Sequence, residues 1–179
     1  MARKEKNVEL PSPHEVHQKL GRFSAYSMEM WGATLFLIMI HVTMFSFHFA
    51  GEYIFPWDFV GGYHAHAVAW YADGSFFSPP KWLPWGDAGF PAYWALQSGA
   101  FYLPLQVLDW VNIDYSLVNA VRFQSLHVLL GAFGVLVLLR AMGFSVGWAL
   151  LGAAGYHFSV GFYSNQQHVD IVRAMAILP

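Results

Sequence analysis

The chain has no cysteine, which excludes a disulfide framework, a thiolate metal site and a cysteine nucleophile. Charge is nearly as scarce. Only 11% of the 179 residues are charged, against about 25% in an average soluble domain, while 56% are hydrophobic. A soluble fold could not hide so much apolar side chain. The formal charge of -2 and the lack of any Lys/Arg cluster interleaved with aromatics exclude nucleic acid as a partner. There is no secretory signal either: Met1 to Met28 is polar, and the apolar stretch that follows outruns a signal core and has no small-residue cleavage site. The first apolar segment is therefore expected to be retained. Internal repeats and low-complexity tracts are also absent.

What is present is apolar and aromatic. Two stretches, Met30 to Gly51 and Phe123 to Leu139, carry no charge at all, and each comes near the roughly 20 residues that cross a hydrocarbon core of about 30 Å as a helix. The expected fold class is all-α: a polytopic membrane protein with three transmembrane helices and a long outer loop containing interfacial helices. Arg3, Lys4, Lys6, Lys19 and Arg22 place the tail, residues 1–28, in the cytoplasm. A first span over 29–50 then leads to an outer aromatic-rich loop, 51–116, in which Lys81 is the one basic residue. A second span over 117–139 returns to Arg140, and a tight turn sends a third span, 144–162, back out as an antiparallel hairpin. Residues 163–179 form an outer segment that reads as the approach to a fourth, missing span.

The loop holds Trp57, Trp70, Trp82, Trp85, Trp94 and Trp110, a residue enriched at the headgroup level of membranes. Phe59, Tyr63, His66 and Trp70 recur at helical spacing, which predicts a short interfacial helix over 58–72 with an aromatic stripe facing lipid or the spans. Pro91 at a first helical position predicts a second helix to Tyr102. On the third span, Gly143 and Gly147, Ala149 and Ala153, and Gly155 and Ser159 sit four apart, a spacing that lets helix backbones approach closely.

Asp58 is the leading candidate for chemistry. It follows the first span, adjoins the pair Gly61-Gly62, and is near His64 and His66. A carboxylate there suits a base for an acceptor hydroxyl or a ligand for a divalent cation facing a phosphate. The plainer alternative is a helix N-cap, where Asp is favoured. His64 and His66, two apart, fall on different faces of a helix and make a poor metal grip. His168 and Asp170 are expected on the same side of the membrane as Asp58, either completing a polar site with it or lying solvated in an exit loop. Arg122 and Arg173, near the outer ends of their segments, suit a lipid phosphate or simple snorkelling. His41, His48, His127 and His157 fall inside spans, where imidazoles ligate haem iron or a chlorophyll magnesium, or simply hydrogen-bond between helices.

The run Phe55-Pro56-Trp57-Asp58-Phe59 with Tyr63, then Trp82-Leu83-Pro84-Trp85-Gly86-Asp87-Ala88-Gly89-Phe90-Pro91, then Gln97-Ser98-Gly99-Ala100-Phe101-Tyr102-Leu103-Pro104-Leu105, resembles the N-terminal portion of YfhO-like bacterial membrane proteins of the C-type (GT-C) glycosyltransferase superfamily. The resemblance covers roughly residues 29–179. It implies a bacterial inner (plasma) membrane location and transfer of a sugar from a polyprenyl-phosphate donor at the outer face, with Asp58 as the family's acidic residue. His168 or Asp170 would stand in the second outer loop as a further catalytic or binding group. Such enzymes carry many more spans, so the chain reads as part of a longer enzyme or as a truncated relative. The competing function is a non-catalytic accessory subunit of a larger respiratory or photosynthetic membrane complex, whose partners are other membrane subunits and membrane lipids.

Overall fold

Proline at position 13 opens the first helix where its missing amide is no loss, and α1 runs from there over Pro13–Met44. The computed structural model describes residues 13–73, 81–84, 89–91 and 102–179. Backbone bonds from Phe45 N to His41 O and from Phe49 N to Phe45 O carry the ladder past Met44 into α2, Ser46–Ala50. Gly51 then stops the rod. Its φ of 82° is open to glycine at little cost, and the bonds Gly51 N to His48 O and Glu52 N to Phe47 O close the helix end. A side chain there would also meet Val118, 3.3 Å from an added Cβ.

Beyond Gly51 the chain passes through a π-helical turn, Phe59–His64, into α3, Ala65–Asp73. The two-residue strands β1, Trp82–Leu83, and β2, Phe90–Pro91, pair antiparallel. Then follow α4, Leu103–Trp110; α5, Leu117–Ala141; α6, Val146–His157; α7, Val160–Ser164; and α8, Val169–Ile177. A second glycine stop joins α5 to α6. Gly143 has φ 89°, and Gly143 N and Phe144 N donate to Arg140 O and Leu139 O.

The all-helical expectation holds, and the second span coincides with α5. Two helices are long and apolar enough to cross a membrane, the Ser27–Met44 part of α1 and Leu117–Ala141, with mean hydropathies of 1.3 and 1.7. The third expected span, 144–162, is not one crossing helix. α6 has 12 residues and extends about 18 Å at roughly 1.5 Å per residue, well short of a core of about 30 Å. It ends because Ser159 is extended (ψ 141°) and breaks the ladder before α7. The aromatic stripe on the π-turn and α3 faces the protein rather than lipid: Phe59, Tyr63 and Trp70 are buried. The predicted helix from Pro91 to Tyr102 lies largely outside the described residues, with Pro91 in β2 and Tyr102 preceding α4, a helix that composition did not mark.

α5 is the centre of the packing. Its buried face includes Ala120, Val121, Val128, Gly131, Ala132 and Leu136. One cluster joins Ala33 and Leu37 of α1, Leu136 of α5, and Ala149 and Ala153 of α6. The other gathers Phe45, Phe55, Phe59, Trp70, Leu105, Phe162 and Val172 around the opposite end of α5. Of the small-residue pairs, Ala149 and Ala153 are fully buried. Gly143, Gly147 and Gly155 have no described atom within 4 Å of an added Cβ. Among the described glycines, the closest approach to a neighbouring backbone is at Gly131, where a Cβ would lie 3.0 Å from Phe162, 3.1 Å from Tyr156 and 3.2 Å from the Ala176 backbone. Gly131→Val is therefore expected to lower unfolding stability by about 1–3 kcal/mol, as overpacking does. Gly147→Ala should stay within about 1 kcal/mol of the parent. Denaturant titration of the detergent-solubilised chain, followed by helical circular dichroism, compares the two.

Candidate active site

Asp58 is aimed by an unusual backbone. Trp57 before it adopts φ 55°, a left-handed conformation that costs a bulky L-residue about 1–2 kcal/mol. Its carbonyl accepts from Val60 N and Gly61 N, so this strained residue anchors the start of the π-turn. Strain and π-turns both recur at functional sites. Asp58 occupies the cap position of the turn yet makes no side-chain cap hydrogen bond. The simple capping role is thereby set aside, and its carboxylate remains mostly exposed. Around Gly61 and Gly62 no described atom lies within 4 Å of an added Cβ, so the backbone beside Asp58 is open to approach.

The other two predicted residues arrive from α8, more than a hundred positions later. His168 caps α8 and holds its Nδ1 3.7 Å from Asp58 Oδ2, an ion-pair distance once the ring is protonated. Asp170 lies in the first turn of α8, where a carboxylate complements the helix dipole. Tyr63 Oη donates to Asp170 Oδ1 at 2.7 Å, and the Tyr63 ring meets His168 edge-on at 6.5 Å. Thus Asp58, His168 and Asp170 converge, with Tyr63 as the strut between the π-turn and α8. Burial, reinforced by the hydrogen bond to Asp170, pushes the Tyr63 hydroxyl well above its ordinary value. It stays protonated and keeps one Asp170 oxygen occupied.

One turn further along α8, Arg173 is buried. Its guanidinium carbon sits 4.3 Å above the Tyr102 ring and 5.9 Å from that of Phe123, a cation–π arrangement. Tyr115 hydrogen-bonds to it, and Asp170 contributes a favourable field. Burial lowers the guanidinium from its ordinary value, yet it stays charged at neutral pH because its starting point is so high. Burial also raises Tyr102 and Tyr115, with Arg173 opposing the rise in each. The Tyr102 hydroxyl in turn donates to His127 Nε2, while His127 Nδ1–H donates to Phe123 O at 2.7 Å.

Family models, curated proteins and solved structures were compared with the chain, and none matches.

The remaining histidines separate cleanly. His41 Nδ1 and His157 Nε2 hydrogen-bond directly at 3.1 Å. That leaves no room between them for an iron with two axial bonds and its macrocycle. Both nitrogens of His127 are taken, and His48 is packed between Phe45 and Phe55, with the end of α1 separating it from His41. His64 Nε2–H donates to Tyr115 O at 3.1 Å, and its ring stacks on Tyr115. The His41–His157 bond is therefore not a haem axial pair, while His41 Nε2, His48 Nδ1 and His157 Nδ1 are buried with no hydrogen-bond partner among the described residues. Among the described residues, no group of three His or carboxylate side chains is arranged to hold a metal ion.

Sequence reasoning missed Tyr63 as the partner of Asp170 and missed the aromatic cage around Arg173. A signal existed for the second: Asp170 and Arg173 are three apart, hence on one helix face. Tyr63→Phe should destabilise the fold by about 1.5–3 kcal/mol, the range for a hydrogen bond to a charged group. Thermal unfolding in detergent reads this, and an unchanged midpoint would mean that Tyr63 is not tying the π-turn to α8.

Proposed function

We propose that the chain is part of a membrane-embedded glycosyltransferase that uses a polyprenyl-phosphate-linked sugar at the outer face of the bacterial inner membrane, with Asp58 as its base. The observation that carries this reading is the convergence of Asp58, His168 and Asp170 from two distant segments, with the Asp58 carboxylate neither capping a helix nor buried. The same reading is what the resemblance of the Trp57-Asp58 and Trp82-to-Pro91 runs to YfhO-like GT-C proteins implies. Membrane embedding is supported by α1: only 17% of its Ser27–Met44 window is buried, and Trp31, Leu35 and Met39, four apart, expose one apolar face. A soluble protein would leave so large a patch bare at the risk of aggregation.

In this reading Asp58 accepts the proton of the acceptor hydroxyl as the hydroxyl oxygen bonds to the anomeric carbon. The bond from that carbon to the donor phosphate oxygen breaks, and its electron pair leaves with the phosphate. Attack opposite the leaving group inverts the anomeric centre. His168 beside Asp58 receives and relays the proton, while Tyr63 fixes the orientation of Asp170. Arg173 offsets negative charge that two carboxylates and a phosphate bring together. The exposed indole of Trp57, next to Asp58, offers a face on which a sugar ring can stack. Asp58→Asn keeps size and removes the base, so sugar transfer from a polyprenyl-phosphate donor in membrane vesicles should fall by about 10²-fold or more. Protein level in the membrane should be unchanged, and retained transfer would sink the assignment.

A second reading, an accessory subunit of a larger membrane complex, is favoured by the open face of α6. Gly147 has no described atom within 4 Å of an added Cβ, and Trp148 and Leu151 are exposed beside it. Gly147→Leu is the clean test, because Ala153 packs inside the chain itself. If a partner helix docks there, Gly147→Leu should release co-purifying subunits while the chain stays folded; an intact complex would argue against that face.

A further inference from the structure

A groove of about 320 Å³ runs between α1 and α5, lined by Leu37 and Ile38 on one side and Leu126, Leu129, Leu130 and Phe133 on the other. Its α5 wall, Leu126 to Phe133, is about 10 Å long at roughly 1.5 Å per residue. Arg122 stands one turn before Leu126 on the same face of α5, and helix side chains lean toward the N-terminus. Its guanidinium therefore lies beyond the end of the groove nearest α2. There Nε and Nη2 donate to Phe49 O at 3.0 and 2.7 Å, and Nη1 donates to Asn119 Oδ1 at 3.2 Å. These acceptors are neutral. No carboxylate among the described residues lies within ion-pair distance of Arg122; the nearest link is indirect, through Asn119 to Asp114. Among the described residues, two of the five guanidinium N–H groups are left for another acceptor.

We propose that this groove binds an anionic phospholipid, with an acyl chain against Leu126, Leu130 and Phe133 and the headgroup phosphate on the free N–H groups of Arg122. Wall and cation match the two parts of such a molecule: an apolar channel takes the tail, and a fixed, uncompensated guanidinium suits phosphate oxygens better than a zwitterion. Arg122 is held in place before the lipid arrives, because its bonds to Phe49 O pin it across the end of α2. The ordering cost of binding falls accordingly. A neutral or zwitterionic lipid could fill the groove but would gain less from the cation. The proposal rests on the membrane placement of α1 and α5 and not on the transfer chemistry, so loss or retention of activity in Asp58→Asn leaves it untouched.

Native mass spectrometry of the full chain in detergent, with added phosphatidylglycerol or phosphatidylcholine of identical acyl chains, tests it. Phosphatidylglycerol should be retained about tenfold more strongly, the worth of one charge-assisted contact. Arg122→Gln should erase that preference, and Arg122→Lys should restore part of it. Leu126→Trp, at a half-exposed position where the fold tolerates bulk, should lower retention of both lipids with Arg122 intact. Equal retention of the two lipids by the parent chain would overturn the proposal. So would a preference that survives Arg122→Gln, or retention of both lipids that Leu126→Trp leaves unchanged.

Discussion

The approach of α8 to α5 at Gly131 is the constraint on which the rest depends. With the Ala176 backbone 3.2 Å from where a Cβ would sit, α8 can lie against α5 only because position 131 has no side chain. Tyr156 secures the same contact from α6 by donating its hydroxyl to Met175 O at 2.8 Å. Once α8 is seated there, its first turn is fixed in place. His168 and Asp170 then reach the π-turn after α2, and Arg173 enters the cage of Tyr102, Phe123 and Tyr115. A helix a few ångströms further out would leave all three without partners.

Burying Arg173 has consequences for the surrounding residues. A guanidinium removed from water costs several kcal/mol unless it is compensated. Here the compensation comes from aromatic faces, a tyrosine hydroxyl and the nearby Asp170 rather than from a close ion pair. This arrangement ties in the start of α4 through Tyr102 and the segment before α5 through Tyr115. His64, stacked on Tyr115, then ties the π-turn to the same framework. Asp58 is thus held by a framework of tyrosines and histidines, although its own carboxylate is mostly exposed and faces His168 alone at 3.7 Å among the described residues. Such preorganisation is what a group needs if it is to meet a substrate without first being ordered.

The two arginines of the polar end behave differently for a clear reason. Arg173 faces inward from α8 and is enclosed, whereas Arg122 faces the junction of α1, α2 and α5 and keeps donors free. A shared reading of the two from sequence as interfacial cations therefore resolves into an internal strut and a surface anchor. Likewise, the histidines that sequence grouped as potential ligands fall into one directly bonded pair, one fixed tautomer and one packed among phenylalanines. The bond between His41 and His157 takes one nitrogen of each ring and leaves His41 Nε2 and His157 Nδ1 buried without a hydrogen-bond partner among the described residues.

The sequence by itself determined the helical class and the two long apolar helices, because each follows from local composition, whereas the glycine stops at Gly51 and Gly143 came from the structure. It also singled out Asp58, His168 and Asp170, since carboxylates and imidazoles are conspicuous in so apolar a chain. Only the tertiary structure decided that these three meet, that Tyr63 is the strut between them and that the expected third span is interrupted at Ser159. It alone turned the aromatic stripe of Phe59, Tyr63 and Trp70 inward. Those outcomes depend on which faces pack together, and a helical period cannot distinguish a face buried in protein from one turned to lipid when both are apolar.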